Sequence, residues 1–120
     1  VISNGKIFGK PRDLNESRKM LKALSGHCHK VITGVTILNN SIGLIKTFSE
    51  ITEVFLHKIP TKQIEYYTNN FKTTDKAGSY GIQEWFSVWI KKINGCYYNV
   101  MGLPVSKFYK HYIEFERLMK

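Results

Sequence analysis

The chain has 120 residues, 42% of them hydrophobic and 13% aromatic, with 18 Lys and Arg against 9 Asp and Glu for a formal charge of +9. That composition belongs to a globular chain rather than a disordered tail, one able to bury roughly two thirds of its unfolded surface. No apolar run approaches the roughly 18 residues of a membrane span, and Cys28 and Cys96 alone make neither a disulfide framework nor a metal motif.

The first residues, "VISNGKIFGK", show no basic segment leading into an apolar one, so no signal peptide is visible, and a cytoplasmic setting is the default expectation. The basic excess points to polyanion partners: nucleic acid, a membrane surface or phosphorylated small molecules. Fifteen of the 18 basic residues are lysine, spread along the chain. Arginine is the residue of bidentate base and phosphate recognition, so this excess also fits a simple solvated surface.

Val1–Ser3 and Lys6–Phe8 flank Asn4-Gly5, which predicts a tight hairpin with a type I′ turn. Asp13, with Glu16 three residues on, predicts a capped helix over 13–25, with Met20, Leu21 and Leu24 as its apolar stripe and Gly26 ending it. Val31–Leu38 and Leu44–Leu56 alternate as two long antiparallel strands joined by "NNSIG". A short helix is expected from Thr61 to Asn70. Phe86–Ile93 reads as a strand, Asn94-Gly95 as its turn, and Cys96–Val100 as the returning strand. A last helix over 104–118 aligns Val105, Phe108, Tyr109, Tyr112, Phe115 and Leu118 on one face. The order is α/β with strong hairpins. The opening residues read as the middle of a strand, so the beginning looks cut off.

Three stretches invite chemistry. Gly9-Lys10-Pro11 sits between a strand and a helix, where Lys10 can reach phosphate oxygens, although a plain turn carries the same residues. "HCH" at 27–29 places only His27 and His29 on one side of an extended chain, with no third or fourth ligand in view, so packed or exposed histidines are the expectation rather than a metal site. "DKAGSYGIQ", residues 75–83, fits neither strand nor helix. Gly78 and Gly81 permit tight turns, Asp75 and Lys76 form a charge pair, and the Gln83 amide can both donate and accept, as reading a base edge requires.

"GKIFGKPRDLNESRKMLKALSGHCHKVITGV", "DKAGSYGIQ" and "INGCYYNVMGLPVSKFY", in that order, closely resemble the Maf-type nucleoside triphosphate pyrophosphatases over essentially all 120 residues. The form of the middle motif is similar to the branch acting on dTTP and UTP. The resemblance implies an α/β fold, a Maf-like twisted mixed sheet with flanking helices and long hairpins, of which residues 1–120 would be the C-terminal two-thirds, without the first strand-helix portion. It implies hydrolysis of the α–β phosphoanhydride to a monophosphate and pyrophosphate with a divalent metal, magnesium as a rule, in a cytoplasmic homodimer with no membrane or nucleic-acid partner. By that likeness Lys10 contacts the substrate phosphates and Gln83 sets base specificity, while Asp75, Lys76 and Tyr80 lie near the pocket. Glu84 and Trp85 stand where many relatives have smaller residues. The family's Ser-Pro-Arg-Arg motif, its metal-binding glutamate and its proton-accepting aspartate would precede Val1, so no catalytic or metal-ligating residue is assigned here and weak activity is expected of this chain alone. Two alternatives stay open: a non-catalytic basic module for nucleotides or RNA, stacking bases on tyrosines such as Tyr66, Tyr67, Tyr97 and Tyr98, and an inert remnant that pairs through exposed strand edges.

Overall fold

The computed structural model describes all 120 residues, and its first elements begin where local chemistry directs. Strands β1 (Ile2–Ser3) and β2 (Lys6–Ile7) turn at Asn4 and Gly5, both at positive φ (51° and 73°), as the Asn-Gly pair requires. Helix α1 (Leu14–Leu24) starts at Asp13, whose carboxylate accepts the Glu16 N–H at 2.8 Å. The Glu16 carboxylate reaches back one residue further than a capping box demands, to the Arg12 N–H at 3.1 Å. Ser17, Leu21 and Leu24 recur at helical spacing and are the residues α1 buries.

Strands β3 (Cys28–Asn39) and β4 (Leu44–Leu56) form a long hairpin in register from Cys28↔Phe55 to Asn39↔Leu44. It accounts for the elongated shape, 57 × 27 × 26 Å. Helix α2 (Thr61–Asn70) buries Ile64, Tyr67 and Thr68 and lies against α1, where Arg18 donates to the Thr68 hydroxyl at 2.9 Å and to the Asn69 amide oxygen at 2.7 Å. Strand β5 (Ile90–Asn94) completes a five-stranded sheet of order β2-β1-β3-β4-β5, antiparallel at every pairing. Helices α3 (Tyr97–Met101) and α4 (Val105–Leu118) follow. The α/β class holds, with helices flanking a hairpin-rich sheet.

Two expected strands are corrected. Residues 85–89 form 3₁₀ turns, so β5 begins only at Ile90. Spacing of i to i+3 puts the buried Phe86 and the half-buried Trp89 on the same side, whereas a strand separates them. Cys96–Val100 is not a returning strand either. Gly95 (φ 130°) passes so close to β4 that an added Cβ would lie 3.0 Å from the Thr52 hydroxyl. Cys96 then exchanges hydrogen bonds with that hydroxyl, its N–H donating at 3.2 Å and its carbonyl accepting at 3.1 Å. The following turn drives Asn99 inward, where its amide donates to the Val31 and Glu50 carbonyls and to Thr52. Tyr and Val propensity for strands loses to those buried bonds.

The predicted stripe of α4 forms on a helix but is mostly uncovered. Phe115 is buried, whereas Val105, Tyr109 and Leu118 are exposed. The helix is held along the hairpin by polar ties: Lys107 to the Ser49 carbonyl at 2.6 Å, a Lys46–Glu114 ion pair, and His111 stacked on Phe48 at 4.2 Å.

The main core lies at the other end, where α1, α2 and the base of the hairpin meet. Three of its members, Tyr80, Ile82 and Phe86, come from the irregular 71–89 connection. That connection is therefore folded into the core, and its rigidity is what positions the site.

Candidate nucleotide-recognition site

Residues 75–84 wrap one side of a cleft of about 370 Å³, and β3 with α3 form the other. The loop is pinned beneath. The Gly78 N–H donates to the Gly9 carbonyl at 3.1 Å, and the Ser17 and Thr73 hydroxyls pair in the interior. Gly78 holds a left-handed φ of 74° against Val1, whose Cγ2 would lie 3.2 Å from an added Cβ, so only glycine fits without strain. Ser79 follows at φ 73°, uncommon for a residue with a side chain, and is fully buried with its hydroxyl against the Met20 sulfur at 3.3 Å.

Of the five residues expected at the site, the structure brings four together. Asp75, Lys76, Tyr80 and Gln83 line the cleft. Gln83 is exposed and its amide has no hydrogen-bond partner in the chain, leaving both functions free. Lys76 is engaged: its ammonium donates to the Asp75 carboxylate and the Lys72 carbonyl, each at 3.1 Å, and faces the Glu84 carboxylate at 3.8 Å. The Lys76 hydrogen bond holds the Asp75 carboxyl below its usual range. With two carboxylates around one ammonium, this end of the cleft does not attract phosphate.

Lys10 is not in the cleft. It lines a neighbouring concavity of about 400 Å³ with Lys6, Lys19 and Phe8. The one carboxylate there, Glu16, is taken by Arg12 at 2.9 Å, which leaves the lysines without a counter-charge. The linings of the two concavities meet at Val1 and Phe8, where the Phe8 N–H donates to the Val1 carbonyl at 2.7 Å.

Tyr80 supports the cleft from within. It is 6% exposed, stacks on Phe86 at 4.7 Å, and shares a 2.7 Å hydrogen bond with His29 Nε2. His29 is 1% exposed and its Nδ1 has no partner, so a second ring proton would be buried without an acceptor. Burial lowers its pKa from 6.5 to about 4. The unfolded chain takes up that proton near pH 6.5 and the folded chain only near pH 4, so stability is full above 6.5 and falls as pH drops through this window. The loss levels off below pH 4 at about 3 kcal/mol. Denaturant melts between pH 7 and 4 should show that fall, and His29→Phe should flatten it; an equal slope in both chains would contradict this role for His29.

His27 is exposed and His29 faces inward to Tyr80, so the two do not share a site. No three Asp, Glu, His or Cys side chains come together as metal ligands do. The cleft carboxylates, Asp75 and Glu84, both face Lys76 and do not fit a divalent cation. No residue here is poised as a base. Burial raises the Tyr67 and Tyr80 hydroxyls well above their ordinary pKa, and His29 is locked in place.

His29 is packed, one of the two outcomes expected of it, whereas Tyr67, offered as a base-stacking ring, is 1% exposed and cannot stack a ligand, and Asn99 was placed in a strand. Tyr67 follows helical periodicity like any core residue, and nothing local marks the hydroxyl that reaches the loop. Asn99 was masked by strand-like neighbours.

Compared with known proteins, residues 1–115 match the model of the family described as "Maf-like protein". The chain is similar to a dTTP/UTP pyrophosphatase of Thermosipho africanus, 52% identical over 107 residues, covering 89% of this chain and 55% of that protein. It is 50% identical over 106 residues to one from Pyrococcus horikoshii, covering 88% and 56%. One from Cytophaga hutchinsonii is 50% identical over 108 residues, covering 89% and 49%. The chain thus spans about half the length of the curated relatives it matches. With residues 1–115, nearly its whole length, matched, this chain belongs to the Maf-like protein family.

Proposed function

We propose that the chain recognises pyrimidine nucleoside triphosphates, dTTP and UTP, for hydrolysis of the α–β phosphoanhydride to a monophosphate and pyrophosphate. One observation carries this: a free Gln83 amide lies in a phosphate-averse cleft whose lining joins that of a lysine concavity through the Phe8–Val1 hydrogen bond. The base would lie against Gln83, with uracil O4 accepting from its amide nitrogen and N3–H donating to its oxygen. The phosphates would run toward Lys10 and Lys6, where point charges offset their negative charge. The names of the similar proteins support the same substrate pair.

Phosphoanhydride hydrolysis calls for a divalent cation to neutralise developing charge, magnesium in this proposal, together with a positioned water. Because the cleft side chains do not fit that ion, no step is assigned through it, and their part is recognition. Assembly as a homodimer in a cytoplasmic setting belongs to the same proposal.

The test is pyrophosphate release from UTP, dTTP and ATP with magnesium, alongside titration with non-hydrolysable α,β-imido-UTP. Saturable binding of the analogue, with slow release favouring UTP and dTTP, is expected. Brisk turnover by the 120-residue chain alone would overturn the assignment of these residues to recognition only, and no binding at millimolar analogue would overturn the nucleotide assignment itself.

A further inference from the structure

Gln83 can discriminate only if its backbone is held still, and one side chain from outside the loop does this on both sides of it. The Tyr67 hydroxyl of α2 accepts the Gly81 N–H at 3.2 Å and donates to the Glu84 carboxylate. Gly81 and Glu84 bracket Gln83, and between them Ile82 is anchored in the core at 5% exposure. Tyr67 itself cannot drift. It is 1% exposed, and its ring packs on Phe86 at 5.1 Å, Phe71 at 5.3 Å and Trp85 at 5.9 Å. Glu84 is fixed a second time by Lys76, at 3.8 Å. At the other end of the loop, the Gly78 N–H donates to the carbonyl of Gly9, a residue lining the lysine concavity, at 3.1 Å.

A flexible glutamine amide is a poor judge of bases, because rotated by half a turn it pairs with the donor–acceptor edge of adenine as readily as with uracil. What a rigid mount adds is reach. If the span from Gln83 to Lys10 is constant, a nucleotide one ring larger cannot seat its base and its phosphates together. We propose that Tyr67, acting through Gly81 and Glu84, is a positioning residue that fixes the reach of Gln83 and thereby selects pyrimidine over purine nucleotides. This rests on the nucleotide function proposed above, and goes beyond it by naming what sets base size.

Tyr67→Phe keeps the packed ring and removes only the hydroxyl. Two readouts are paired: hydrogen exchange at the Gly81 amide, and affinity for α,β-imido-UTP against α,β-imido-ATP. In the parent chain the uridine analogue is expected to bind more tightly. In Tyr67→Phe, Gly81 exchange should rise about tenfold and the preference should fall about tenfold, the worth of one good hydrogen bond. Glu84→Gln retains an acceptor for the hydroxyl and should keep the preference, whereas Glu84→Ala should lose it. That second pair decides the matter should Tyr67→Phe not fold. An unchanged preference in Tyr67→Phe, or in Glu84→Ala, would overturn the role of Tyr67. A parent chain with no preference would overturn the pyrimidine assignment instead, while Gly81 exchange still reports separately whether Tyr67 holds the loop.

Discussion

Phe86→Ala should destabilise the chain by about 3–5 kcal/mol and lower its melting temperature by about 10–20 °C. The ring is 1% exposed, stacks on Tyr80 at 4.7 Å and packs at a tilt against Tyr67 at 5.1 Å, so deletion opens a void beneath the loop that carries Gln83. Those neighbours are themselves held by polar contacts, Tyr80 to His29 and Tyr67 to Gly81, and cannot collapse into the space without breaking them. The cost therefore belongs at the upper part of the range for core truncations, a large share of the roughly 5–15 kcal/mol by which a domain is stable. Phe86→Leu, closer in volume, should cost under about 1.5 kcal/mol. Urea melts of the three chains check this. A loss below about 1 kcal/mol for the alanine variant would mean that the loop is not built into the core.

Gln83→Leu should weaken UTP binding by about 10- to 100-fold while leaving stability unchanged, since a two-point base contact contributes about 1–3 kcal/mol. The side chain is exposed and bonded to nothing in the chain, so its loss leaves no unsatisfied group behind. Leucine keeps the bulk and removes both hydrogen-bonding functions, which separates recognition from packing. Calorimetric titration with the non-hydrolysable uridine analogue measures the effect. Affinity within twofold of the parent would remove Gln83 from the site.

Much of this fold can be read from residue pattern, because local signals and tertiary contacts agree. The Asn4-Gly5 hairpin, the Asp13 cap and the Leu44–Leu56 strand stand where pattern puts them. Pattern failed where a single long-range contact overrode propensity. Residues 96–100 look like a strand, yet Thr52 captures the Cys96 backbone and Asn99 reaches three partners in β3 and β4, all more than 40 residues away in sequence. Trp85–Trp89 likewise turn to place Phe86 in the core.

The candidate site was legible in part. Asp75, Lys76, Tyr80 and Gln83 converge on one cleft, as their motif suggested. Composition alone could not say that Lys76 is neutralised by two carboxylates, or that Lys10 faces a neighbouring concavity. Nor could it give Tyr67 its contact with the loop, which depends on how α2 sits against it.

Dividing the ligand tests most directly whether one nucleotide bridges both concavities. Uridine and inorganic pyrophosphate would each be titrated into the parent chain, Lys10→Ala and Gln83→Leu. Gln83→Leu should weaken uridine and spare pyrophosphate, Lys10→Ala should do the reverse, and both should weaken the intact uridine triphosphate analogue. If Lys10→Ala leaves that analogue and pyrophosphate bound as tightly as the parent does, the two concavities do not serve one ligand and the account fails.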